Sequence, residues 1–242
     1  MPRSPETLPK EPVQISLIRR AASRIRLAAE GIPIVIPVIG VGLCFAAAGF
    51  ITSGGVLVAI GAATAAFFRD PDRDVAAGAD AVLSAADGRV CNIASAKLPG
   101  ISEAQLYTRI SVFMSPLDVH VNRSPVSGEV VGLQHVKGEF HAAFRDTASE
   151  YNEHMLVKIK DDQGREHALL QIAGYVARRI VCYLSPHQRL ERGQRIGLIM
   201  FGSRVDHFLP RDYRLGVEVG DRVRAGETII GEPEDERHCI EQ

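Results

Sequence analysis

Gly202-Ser203 is the one Gly-Ser dipeptide in a chain of 242 residues that holds 22 glycines. It falls inside Ile199-Met200-Phe201-Gly202-Ser203-Arg204-Val205-Asp206, an apolar, strand-like run where an ordinary loop dipeptide is out of place. The setting suits a strained peptide bond whose serine hydroxyl attacks the carbonyl before it. Glycine, with no side chain, leaves that carbonyl open to close approach. A tight turn is the plainer reading of the same pair. Other chemistries find less support. Cys44, Cys91, Cys182 and Cys239 lie far apart with no C-x-x-C pair, which argues against a disulfide scaffold or a cysteine-rich zinc site and for a reducing compartment. A formal net charge of −1 leaves no footprint for nucleic acid.

The elements that must position this dipeptide read as strands. Arg109–Phe113, Gly128–Leu133, His154–Ile159, His167–Ile172, Arg179–Tyr183 and Arg195–Met200 are short β-branched or alternating runs bounded by turn residues. A loose internal echo joins 86–90 (ADGRV), 126–130 (VSGEV), 191–196 (ERGQRI) and 219–223 (VGDRV), each setting a glycine turn before an apolar strand start. The tail Val217–Ile230 resembles the strand-turn-strand of a biotinyl/lipoyl-type β-sandwich. Lys137, Lys158 and Lys160 lack the flanks of a modifiable carrier lysine, so the likeness extends to architecture only. The expected fold is mainly β (α+β), a sandwich or barrel-like domain over 69–242.

Ahead of that domain lies a segment of another kind. Gly31–Phe68 runs 38 residues without Asp, Glu, Lys or Arg. A membrane-spanning helix needs roughly 20 apolar residues. Thr52-Ser53-Gly54-Gly55 divides the stretch into Ile32–Ile51 and Val56–Phe68, an apolar helical hairpin that spans the membrane or dips into one leaflet. Residues 1–30 carry six Lys/Arg against three Glu, with Ile15, Ile18, Ala22, Ile25 and Ala29 at helical spacing among the arginines. That is the pattern of a basic amphipathic helix at an anionic surface. Positive charge before the first span places the N-terminus on the cytoplasmic side.

Two motifs carry a family resemblance. Phe113-Met114-Ser115-Pro116-Leu117-Asp118-Val119-His120-Val121-Asn122-Arg123-Ser124-Pro125-Val126-Ser127-Gly128, followed about 80 residues later by Phe201-Gly202-Ser203-Arg204-Val205-Asp206, resembles the phosphatidylserine decarboxylase family of the short bacterial type. The likeness runs from about Pro71 to Pro233. It implies a proenzyme that cleaves itself between Gly202 and Ser203 into a β chain of 1–202 and an α chain of 203–242. Ser203 then becomes a covalent pyruvoyl group, the only cofactor implied, with no metal. Its carbonyl would form a Schiff base with phosphatidylserine, release CO2 and yield phosphatidylethanolamine on the cytoplasmic face of the cell (inner) membrane.

The resemblance also assigns proton-handling residues. His120 matches the histidine of the decarboxylation step, and Asp87 matches the acidic member of the long-type self-cleavage relay. A departure stands at Arg123, where the long type has a second histidine, because a guanidinium cannot serve as a base. His120 serving both steps, a substitute such as His207, or a different relay all remain open. For His120 the plain alternative is a hydrogen-bonded strand histidine, and for Asp87 an Asp-Gly turn. Two other functions fit parts of the chain. A pyruvoyl-dependent amino-acid decarboxylase shares the chemistry but has no use for the apolar stretch. A membrane-anchored β-sandwich adaptor would need helical heptads that are absent.

Overall fold

A computed structural model describes residues 26–75, 78, 80–98, 106–139, 151–174, 179–200 and 202–234, in two compact units that divide between Asp72 and Arg73. Most of the basic segment expected over 1–30 lies outside the described residues.

The first unit is a helical hairpin. A 3-10 turn, Ala29–Gly31, leads into α1 (Ile32–Ala47), and α2 (Ile51–Phe67) returns along it. Pro33 stands in the first turn of α1, where its missing N–H costs nothing. The reversal falls at Ala48-Gly49-Phe50, with Gly49 at φ 94°, and not at Thr52–Gly55 as the sequence suggested. Gly54 instead lies buried inside α2, where a Cβ would meet the Gly42 carbonyl oxygen at 2.6 Å. Small residues at such contacts let apolar helices touch backbone to backbone. The outer faces stay apolar and open, with Ile36 63% and Ile51 73% exposed. Ala29–Ala47 has 19 residues at a mean hydropathy of 2.0, long and apolar enough to cross a bilayer, while α2 is shorter.

Among the described residues the second unit has fourteen strands: β1 (Val82–Leu83), β2 (Gly88–Lys97), β3 (Leu106–Met114), β4 (Val121–Arg123), β5 (Gly128–Val136), β6 (His154–Asp161), β7 (Glu166–Ile172), β8 (Ile180–Cys182), β9 (Arg189–Leu190), β10 (Arg195–Ile199), β11 (Ser203–Leu209), β12 (Tyr213–Leu215), β13 (Arg222–Val223) and β14 (Ile229–Pro233). An eight-stranded antiparallel sheet runs β13-β2-β3-β11-β7-β6-β5-β9. Two three-stranded sheets, β1-β14-β12 and β4-β10-β8, accompany it. One core, with Val112, Met155, Val157 and Val205 from the large sheet, packs against Val82, Ile230, Ile196 and Ile199 of the small ones. A second cluster, including Tyr107, Leu170, Ile172 and Phe208, lies on the alternate positions of the large sheet.

The strand orders are palindromic because the unit is an internal repeat. β1-β2-β3-β11-β12-β13-β14 corresponds, in order, to β4-β5-β6-β7-β8-β9-β10. Loop hydrogen bonds repeat as well. Ser84 donates to Thr228 O and accepts from the Gly226 amide, just as Ser124 donates to Gln194 O and accepts from the Gly193 amide. At Gly88 a Cβ would meet Phe113 O at 2.1 Å, and at Gly128 it would meet Lys160 O at 2.2 Å, so both strand starts demand glycine. The echo of 86–90 with 126–130 is therefore structural. The other two echo segments pair differently: 187–190 matches 220–223, since His187 and Gly220 make the same amide bonds to Val130 O and Val90 O. Both have positive φ, 62° and 103°.

In chain order the second half is spliced into the first, between β3 and β11. Its own corresponding link is the tight β6–β7 hairpin, closed by the Asp161 amide on Arg165 O. Met114 and Ser203 thus stand where Asp161 and Arg165 stand in the inserted half. The two motifs meet because they are the two ends of this splice.

Candidate active site

β10 and β11 belong to different sheets, so Gly202-Ser203 marks a passage from one sheet to another rather than a break within one strand. Gly202 has φ 61°, with nothing within 4 Å of where a Cβ would sit. A left-handed residue is cheap only for glycine. Ser203 follows at once as the first residue of β11 and is fully buried. It pairs with Met114 across the ladder, and its hydroxyl lies 3.5 Å from the Met114 sulfur.

Around this hydroxyl the apolar core carries a small set of polar groups. Asn122 Nδ2 approaches the same sulfur at 3.7 Å, and Asn122 Oδ1 accepts a 2.7 Å bond from Gln171 Nε2. Gln171 Oε1 is buried and accepts no hydrogen bond among the described residues. Asn122 and Gln171 were not singled out in the sequence as functional. Gln171 had a signal, a lone amide in the apolar run Ala168-Leu169-Leu170-Gln171-Ile172-Ala173. Asn122 is two residues from His120 and opposite Gly197 of β10.

His120 is 2% exposed and immediately precedes β4. Its Nδ1 lies 2.9 Å from the Asp118 carbonyl, which accepts and so places the proton on Nδ1 and leaves Nε2 as the basic nitrogen. The Ile199 amide donates to the His120 carbonyl, tying the histidine to the strand that leads to Gly202. Asp118 is held in turn, its Oδ2 accepting from the Ser115 amide at 2.8 Å and hydroxyl at 2.7 Å. This closed turn fixes the backbone that orients the imidazole.

Asp87 sits in the turn before β2. Its Oδ2 accepts from Arg73 at 2.7 Å and its Oδ1 from the Ala225 amide at 2.8 Å. Burial raises its pKa, with the Ala225 N–H and Arg73 pulling back in part. In the other half Ser127 Oγ accepts the matching Arg192 amide, so one part of Asp87's role is to cap this turn. No hydrogen bond joins Asp87 to Ser203 among the described residues.

The remaining basic residues are committed elsewhere. Arg123 is 6% exposed and donates to Gly193 O at 3.0 Å, fastening the inserted half's loop. His207 is fully enclosed: Nε2 accepts from the Ala85 amide at 2.8 Å, so Nδ1 carries the proton toward Ile110 O at 3.2 Å. Burial depresses its pKa to about 4. With its lone pair taken, His207 anchors the loop ahead of Asp87. On the alternate positions of β11, Arg204 and Asp206 form a buried ion pair at 2.8 Å. A cavity of about 420 Å³ opens elsewhere, beside Ser127, Asp161, Arg165 and Arg192 of the inserted half.

Known proteins match this chain in sequence. The phosphatidylserine decarboxylase family model matches residues 60–231. The chain is 44% identical over 166 residues to a phosphatidylserine decarboxylase proenzyme of Desulfotalea psychrophila, covering 69% of this chain and 77% of that one. It is 46% identical over 165 residues to the protein of that name from Chlorobium chlorochromatii, covering 68% and 76%. A Zymomonas mobilis protein, also so named, is 46% identical over 175 residues, covering 69% and 71%.

Proposed function

The chain belongs to the phosphatidylserine decarboxylase family, and on that premise we propose that it is a proenzyme that cleaves itself at Gly202-Ser203 and then decarboxylates phosphatidylserine to phosphatidylethanolamine. The observation that carries this reading is a left-handed, unobstructed glycine directly before a fully buried serine, at the point where the chain re-enters the sheet.

Self-cleavage begins when Ser203 Oγ attacks the Gly202 carbonyl carbon. The peptide C–N bond breaks, an ester forms, and the hydroxyl proton ends on the freed Ser203 nitrogen. Removal of the Ser203 Cα proton then breaks the Cβ–O bond and releases the Gly202 carboxylate. The dehydroalanine left behind takes up water and loses ammonia, giving a pyruvoyl group at the head of the 203–242 chain. That group supplies an electrophilic carbonyl for the substrate amine and a sink for the electron pair left by CO2.

The residues divide this work by their geometry. His120, with Nε2 basic and its ring oriented through Asp118, is the proton carrier of decarboxylation. Asp87 is the acidic candidate for the maturation relay, acting from a turn held by Arg73 and Ala225. Arg123 and His207 hold loops and take no proton. Substrate acyl chains stay in the bilayer, so the carbonyl needs to reach only the headgroup. The apolar hairpin favours this lipid over a free amino acid, and the basic N-terminal segment favours the cytoplasmic face of the cell membrane.

Ser203→Ala tests the reading. It should remain one uncut chain without decarboxylase activity, whereas Ser203→Cys and Ser203→Thr keep a nucleophile on Cβ and split in part. Normal splitting of Ser203→Ala, seen on a denaturing gel, would sink the assignment.

A further inference from the structure

Ser203 is fully buried, yet the acceptor its hydroxyl meets is a thioether, among the weakest in proteins. The inserted half offers the contrast. At the position equivalent to Met114 stands Asp161, whose carboxylate takes the amides of Gln163 and Arg165 and the Arg165 guanidinium at 2.7 Å. A strong acceptor in Met114's place would capture the Ser203 hydroxyl in the same way and draw its oxygen from Gly202. A sulfur holds the rotamer and leaves the oxygen lone pairs for the carbonyl carbon.

Methionine has three rotatable bonds and would wander unless anchored. Here Asn122 Nδ2 anchors the sulfur, and Gln171 anchors Asn122. Buried side chains of β7, β4 and β3 thereby form a line, Gln171 to Asn122 to Met114, that ends on one hydroxyl of β11. We infer that Met114, held by the Asn122–Gln171 amide pair, is a positioning residue for self-cleavage that sets Ser203 Oγ for attack on Gly202. The inference rests on the self-cleavage reading above. In the step it assists, the Oγ–C bond forms, the Gly202–Ser203 C–N bond breaks, and the hydroxyl proton passes to the Ser203 nitrogen, with no co-reactant.

Splitting of freshly translated full-length chain, followed over time on denaturing gels, tests this. Met114→Leu preserves volume and removes the sulfur. Met155→Leu makes the same change in the same core, opposite Gln171 on β6, two strands from Ser203 in the sheet order. Splitting of Met114→Leu should slow about tenfold, equivalent to about 1.4 kcal/mol in the barrier, with an unfolding midpoint equal to that of Met155→Leu, which splits normally. Hydroxylamine separates the steps, since it cuts an accumulated ester and leaves an unblocked Ser203. It should not restore the rate in Met114→Leu, because the block precedes the ester. The double variant Asn122→Leu/Gln171→Leu, which removes both amides together and strands neither, should also split slowly. Equal rates for wild type, Met114→Leu and the double variant overturn the inference alone. A wild-type chain that never splits overturns the self-cleavage reading and this inference with it.

Discussion

Ser203 and Met114 are cross-strand partners in β11 and β3, although 89 residues separate them in the chain. Between them the whole second half of the repeat is inserted. The proposed cut would free β11 at its first residue while leaving it between β3 and β7, hydrogen-bonded to both. The two chains should therefore stay together after cleavage. Native size exclusion is expected to give one peak, and a denaturing gel of that peak two bands. Loss of the small chain under native conditions would contradict this placement.

His120→Ala removes the basic Nε2 but leaves the Ser115–Asp118 turn intact. It is expected to split at least in part, yet to turn over phosphatidylserine about 10²–10⁴-fold more slowly. Full activity would reduce His120 to a hydrogen-bonded residue of the loop before β4, and an unsplit chain would move it to the cleavage step.

Asp87→Asn keeps an oxygen for the Ala225 amide and removes the charge facing Arg73. A folded chain that splits more slowly than wild type is expected. A rate within about twofold of wild type would assign Asp87 to the turn alone, as Ser127 is in the other half.

His207 links stability to pH. Its folded pKa is about 4 against 6.5 for the free side chain, so the unfolded chain binds more protons between those values. Its contribution is complete above pH 6.5 and is lost as pH falls toward 4. At 1.36 kcal/mol per pH unit, that interval corresponds to about 3 kcal/mol. Denaturant titrations from pH 7 to 4 should show a shallower loss for His207→Gln, which offers an acceptor and a donor but no charge. Parallel curves would remove His207 from the acid response.

Apolar burial and surface charge respond differently to salt. At about 1 M salt the Debye length falls to about 3 Å, and basic attraction to anionic lipid is screened. A hairpin whose large side chains each contribute about 1.5–3 kcal/mol on burial is not released that way. Full-length protein should stay with membranes in high salt, and its release by salt alone would mean that the outer face of α1 and α2 is not buried in lipid.

The sequence by itself determined the apolar hairpin, six of the strands, the glycine turns that open β2 and β5, and the Gly202-Ser203 pair. These are local properties: hydropathy, alternation and φ preference are set by near neighbours. Boundaries were less legible, and the reversal at Gly49 escaped because Gly54-Gly55 looked like a turn until a second helix lay against Gly54. Only the tertiary structure decided that the β unit folds as two interleaved halves of one pattern, with the motifs at the ends of the splice. No local signal records which strands pair across 89 residues. The same holds for roles. His207 has an imidazole's chemistry, but packing gives its lone pair to the Ala85 amide, while Arg123, no base by its chemistry, is pinned to the Gly193 carbonyl. The line from Gln171 through Asn122 and Met114 to the buried Ser203 hydroxyl likewise exists only in the folded chain, because hydrogen-bond distance is a property of tertiary packing.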